Sequence, residues 1–126
     1  MQAANRKLTT HQKAVLIQVL RSFPEQCVEI RYSEAASDGE MYALEFMSIF
    51  KAIGWEVSGP KTGEFPAGGA AGLAIMANED SGLPACAEAL RDGLRIYGIE
   101  VETRAGGGRD IAPDRFVLWV GAAGDA

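Results

Sequence analysis

Histidine and cysteine, which most often carry proton transfer, thiolate chemistry and soft-metal binding, are scarce: the chain has one histidine, His11, and two cysteines, Cys27 and Cys86. The cysteines lie too far apart for a CxxC pair or a zinc-ligand cluster, and they read as buried thiols of a reducing compartment. A Ser-His-Asp or Cys-His centre would have to use His11, and no GxSxG nucleophile elbow accompanies it. Positive charge is also in short supply. Twelve Lys and Arg against 17 Asp and Glu leave a formal net charge of -5, the wrong sign for neutralising a phosphate backbone, so nucleic acid is excluded as a partner. No apolar run approaches the ~20 residues that span a bilayer, and no signal-peptide stretch opens the chain. The expectation is a soluble, cytoplasmic domain without membrane insertion, standing alone or as the soluble part of a membrane-anchored protein.

Apolar residues are present in the ordinary proportion of a folded domain, 48% of 126. A chain of this length buries roughly two-thirds of its unfolded surface, enough for one core without metal or disulfide staples. Residues 8–121 read as a single α/β domain, with 1–7 and 122–126 as flexible ends. From Leu8 to Phe23, Leu8, Val15, Leu16, Val19, Leu20 and Phe23 recur at helical spacing. Thr9 and Gln12 form a capping box at its start, and Pro24 stops it. Ser37-Asp38-Gly39-Glu40 reads as a second capping box, opening a helix striped by Ala43, Phe46, Met47, Phe50 and Ile53. A third stripe, Leu83, Cys86, Leu90, Leu94 and Tyr97, marks a helix over 83–97.

Strands are expected where the period drops to two: Cys27–Tyr32, with Val28, Ile30 and Tyr32 alternating with Glu29 and Arg31, and Trp55–Ser58. Gly72–Ala77 and Arg115–Val120 are continuously apolar, as in strands covered on both faces. The tetrapeptides Gly54-Trp55-Glu56-Val57 and Gly98-Ile99-Glu100-Val101 recur at an offset that superimposes strand on strand and helix on helix, a pseudo-repeat of two βαβ units. In each, the glycine is the left-handed cap of a Schellman motif, and the following Trp55 or Ile99 packs on Phe50 or Leu94. The element order is αβαββαββ. It implies a mixed sheet of about five strands, with the repeat helices on it and the N-terminal helix over part of the other face. Two topologies fit, a ferredoxin-like interleaving or a doubly wound sheet with a helixless crossover through 59–71.

Candidate sites are few. Gly59-Pro60-Lys61-Thr62-Gly63 lacks phosphate-loop spacing and no helix follows it; Gly68, Gly69 and Gly72 precede a strand rather than a helix. These read as loop, without a nucleotide or other cofactor. Glu34, Asp38 and Glu40 complement a helix N-terminus and lack the spacing of a calcium loop. Arg104 precedes the Gly106–Asp110 stretch and Arg109 lies within it, a solvated turn, and Trp55 and Trp119 sit on strands, where packing accounts for them. No catalytic or metal-ligating set emerges. The remaining ligand candidates are loops at strand ends, Ser33 to Ser37 and Asn78 to Ser81, through Ser33, Glu34, Ser37 and Asn78, because open α/β sheets place ligands there.

The run from Cys27 to Ala122, with its helix ending in Gly-Trp-Glu-Val, its second strand-helix unit and its final strand ending Val-Gly, resembles a recurring bacterial α/β domain often found after transmembrane helices. The element order also resembles the small C-terminal domain of LytR-type cell-envelope proteins, through Ile30, the Phe50 to Val57 segment and Phe116 to Gly121. The resemblance implies a noncatalytic protein-interaction or sensory accessory domain, assembling through a sheet edge or an amphipathic helix. A protein partner or a weak homodimer is expected, formed through apolar surface of the first helix or the final strand. The alternative is a small-ligand binder or enzyme using the strand-end loops.

Overall fold

The computed structural model describes residues 7–34, 38–63, 72–78, 82–104 and 115–121. Eight elements follow in the expected order: α1 (Thr10–Leu20), β1 (Cys27–Ser33), α2 (Gly39–Ala52), β2 (Glu56–Gly63), β3 (Leu73–Ala77), α3 (Ala85–Ile96), β4 (Val101–Arg104) and β5 (Arg115–Val120). The five strands form one mixed sheet in the order β2-β1-β5-β3-β4. Each repeat is a βαβ unit of adjacent parallel strands, β1 with β2 and β3 with β4. β5 joins them, parallel to β1 and antiparallel to β3.

This order is neither of the two topologies that connectivity allowed. β2 and β3 are separated by β1 and β5, so no hairpin joins them. They also run in opposite directions, so the connection between them is no parallel crossover. The two units point in opposite directions and step outward toward opposite edges. Applied to both, the right-handed crossover rule puts α2 and α3 on the same face.

The core agrees. Phe46, Ile49 and Phe50 of α2 and Leu90 and Leu94 of α3 share one buried cluster with Val28, Ile30, Leu73, Ile75, Val101, Phe116, Leu118 and Val120 from the sheet. Leu16 and Leu20 of α1 belong to that same cluster, and α1 packs against α3 and α2. The expectation that α1 covers the opposite face is therefore corrected: among the described residues all three helices lie in one layer. The opposite face carries a separate small cluster of Ala74, Val117, Trp119 and Met76. β5 is buried on both faces from Phe116 onward because it is central, not because helices flank it twice.

Local signals explain the helix ends. The Thr9–Gln12 capping box forms, with Gln12 N–H donating to Thr9 Oγ1 at 3.0 Å and Thr9 N–H to Gln12 Oε1 at 2.9 Å, and α1 closes at Leu20, before Phe23 and Pro24. Gly54 and Gly98 have φ of 81° and 76°. Trp55 N–H donates to Phe50 O at 3.0 Å and Gly54 N–H to Lys51 O at 3.1 Å; Ile99 and Gly98 repeat the pair on Leu94 and Arg95 at 3.1 and 2.9 Å. Both are Schellman motifs, and Phe50 and Trp55 stack with centroids 5.6 Å apart.

The second capping box lies partly outside the described residues. The N-cap of α2 is Asp38, one residue later than Ser37, and its side chain makes no cap hydrogen bond. β2 is longer than its sequence pattern. Gly59 to Gly63 continues the strand instead of forming a loop, and the register with β1 slips by one residue between Glu29–Ser58 and Arg31–Lys61. That bulge absorbs Gly59, whose φ is 98°, and Pro60 is tolerated because β2 is an edge strand.

Candidate functional site

The described residues of the two strand-end loops lie at opposite ends of the sheet. Ser33 ends β1 opposite Gly63, and Tyr32 pairs with Val120, which pairs with Leu73 at the start of β3. Asn78 follows Ala77, which pairs with Phe116, itself opposite Val28. Ser33 and the exposed Glu34 thus lie at one end of the sheet and Asn78 at the other, about 20 Å away along the strands at ~3.3 Å per strand residue. Ser37 lies outside the described residues. The physical reason is the antiparallel relation of the two βαβ units. In an all-parallel sheet the strand C-termini share one crevice, whereas here they are divided between opposite ends.

A shallow depression of about 90 Å³ opens at the starting ends of β1, β2 and β5, lined by Cys27, Glu29, Glu56, Ser58 and Arg115 among others. Small-molecule pockets occupy roughly 300–1,000 Å³. Cys27 is half-buried there, with its thiol 3.8 Å from Glu56 Oε2. From Glu29 a row of polar groups crosses the helix-free face: Lys61 Nζ stands 3.8 Å from Glu29 Oε1, Arg31 Nε donates to Glu29 Oε2, and the Arg31 guanidinium lies 5.4 Å from the centre of the Trp119 ring. A guanidinium over an indole is held by the ring quadrupole and keeps its charge in water while its stem covers apolar surface. This solves for β1 the problem its alternating sequence posed, a wet face on a strand with a buried neighbour.

The remaining singled-out residues have packing roles. Cys86 is buried in the first turn of α3, and burial pushes its thiol pKa up, outweighing backbone hydrogen bonds that favour the thiolate. Its helix position therefore does not activate it. His11 is exposed on the first turn of α1 and meets the Tyr97 ring edge-on, centroids 6.2 Å apart. Trp55 and Trp119 are both buried. Asp38 is buried, while Glu34 and Glu40 are exposed; among the described residues no group of three or more His, Cys, Asp or Glu could hold a metal ion. Arg109 and the Gly106–Asp110 turn lie outside the described residues, as do Gly68 and Gly69.

Of the two expected association surfaces, the final strand is removed by the strand order. β5 is the middle strand of the sheet, so it offers no edge, and Val117 and Trp119 are covered within the chain. Leu16, Ile17 and Leu20 of α1 are spent on the core, while Val15 and Val19 are half-buried. The exposed large apolar side chains among the described residues are instead Met41 (65%) and Leu44 (36%) on α2 and Ile96 (79%) on α3. Sequence reading missed them because the core stripe of α2 was counted and the residues between its members were not. Among the described residues no helix is long and apolar enough to cross a membrane. No family model, curated protein or solved structure matches the chain.

Proposed function

We propose that this is a noncatalytic protein-interaction domain whose helical layer is the working surface. One observation carries the reading: Met41, Leu44 and Ile96, the large apolar side chains left in solvent among the described residues, all project from helices. An exposed methionine and leucine on successive turns of one helix cost solvation without contributing to the core, and such a patch marks a contact surface. The alternative of a small-ligand binder built on strand-end loops is weakened by the separation of Ser33 and Glu34 from Asn78.

The test pairs two measurements on the purified domain. Binding partners recovered from the expressing cell and reconstituted from pure components should be retained by the parent and lost by a Met41→Glu, Leu44→Glu variant that keeps its circular dichroism spectrum. A metabolite screen by thermal shift should yield no saturable stabiliser. A small molecule that binds at a strand end, with affinity unaffected by the α2 changes, would replace this reading by the alternative.

A further inference from the structure

We infer that the occupant of this surface is a second copy of the chain, the two α2 helices packing antiparallel about a two-fold axis; the inference rests on the interaction reading above. The sequence of α2 is apolar on more than its core face. Tyr42, Ala43, Phe46, Ile49 and Phe50 are buried, whereas Met41, Leu44, Ser48 and Ala52 are exposed on the opposite side. At 100° per residue these four fall within an arc of about 80°. A helix apolar on both faces expects cover on both.

The stripe is complementary to itself in one orientation. Its large residues, Met41 and Leu44, occupy the first half of α2 and its small ones, Ser48 and Ala52, the second. An antiparallel two-fold sets Met41 against Ala52 of the other copy and Leu44 against Ser48, large into small at both ends. A parallel pairing would oppose large to large and leave a gap at the small end.

Charge selects the same orientation. Glu40 and Lys51 are exposed and lie three turns apart, about 16 Å along the axis and about 20° around it, on the Leu44 edge of the stripe. A two-fold perpendicular to the helix preserves that edge and exchanges its ends, so Glu40 of each copy meets Lys51 of the other. Parallel packing, whose two-fold runs along the helices, would instead put the Glu40–Lys51 edges of the two copies on opposite sides of the seam, where neither pair can form. Both the size pairs and the charge pairs centre near Phe46, so one axis satisfies all of them. The Lys13–Glu45 ion pair that ties α1 to α2 flanks the other edge and is left intact.

Sedimentation equilibrium over a concentration series up to about 1 mM, at which a millimolar dimer is substantially populated, tests the inference. The parent should show a monomer–dimer equilibrium. Leu44→Glu should abolish it, and Ser48→Arg provides a second block should Leu44→Glu fail to fold. Glu40→Lys or Lys51→Glu alone should weaken the dimer about three- to tenfold at low salt, and the double exchange should restore it to within about twofold, since both rim pairs reform with reversed sign. A parent that remains monomeric throughout overturns the inference, and so does a dimer indifferent to Leu44→Glu. Loss with Leu44→Glu but no rescue by the double exchange overturns the antiparallel order. A monomeric parent that still binds a different protein through Met41 and Leu44 would sink this inference and leave the interaction reading standing; a monomer with no protein partner would sink both.

Discussion

Replacing Gly54 or Gly98 by valine measures what the two helix caps contribute. At both positions φ is positive, 81° and 76°, and a Cβ would meet nothing within 4 Å. Steric collision with the rest of the fold is therefore absent, and the cost is the backbone's own. A β-branched residue in the left-handed region costs about 1–3 kcal/mol, reduced by up to about 1 kcal/mol because valine narrows the unfolded ensemble more than glycine does. A net loss of about 1–2 kcal/mol is expected for each. With a urea slope near 2 kcal/mol/M, each variant should shift its midpoint down by roughly 0.5–1 M. Asparagine, which tolerates left-handed backbone, should shift it less. Because the caps belong to different units, the double variant should lose about the sum. Midpoints of Gly54→Val and Gly98→Val equal to the parent would refute the cap argument. A large loss shared by asparagine and valine would refute the claim that the penalty is conformational.

Gly59→Ala should cost more than either cap, about 2–4 kcal/mol, because the same backbone penalty is joined by collision of the new Cβ with the Ile30 carbonyl oxygen; thermal midpoints of the three variants give the ranking. Glu45 accepts the Leu8 amide hydrogen at 2.9 Å and pairs with Lys13 at 3.4 Å, so Glu45→Ala should destabilise by about 1–2 kcal/mol and raise amide exchange selectively in the first turn of α1. Burial raises the Cys86 pKa above its usual value of 9.0. The folded state thus holds the thiol proton more tightly, and the associated stability is complete below pH 9 and lost as pH rises beyond it. The parent should lose stability more steeply than Cys86→Ala above pH 9 in urea titrations. At pH 8 an alkylating reagent should label Cys27, which is half-buried, well before Cys86.

The element order was legible because it rests on local periodicity, and the caps because Gly54-Trp55 and Gly98-Ile99 carry their own stereochemistry. Strand order was not. Pairing of β1 with β5 and β5 with β3 joins segments distant in sequence, and nothing in either segment names its neighbour. The continuous apolar run of β5 was read as helices on two faces, when a central strand beside Arg31 and Met76 gives the same pattern. Gly59 and Pro60 were read as breakers, since the sequence does not show that their strand is an edge with room for a bulge. Ser33 and Asn78 lie apart for a topological reason: the strand-end rule presumes parallel strands, and the direction of β3 is a non-local fact. Met41 and Leu44 were visible all along, hidden only by counting the residues that face inward.

β5 sits between the two βαβ units, and β1 and β3 touch no common strand but this one. In the order of synthesis the keystone arrives last. A ribosome that has delivered α1 to α3 and β1 to β4 has made two unclosed halves, each exposing the strand edge that β5 will occupy. Folding as a unit must wait until residue 120 clears the exit tunnel, and a nonsense codon between Arg104 and Arg115 would leave one chain carrying two sticky, unclosed halves for the quality-control machinery instead of a slightly smaller domain.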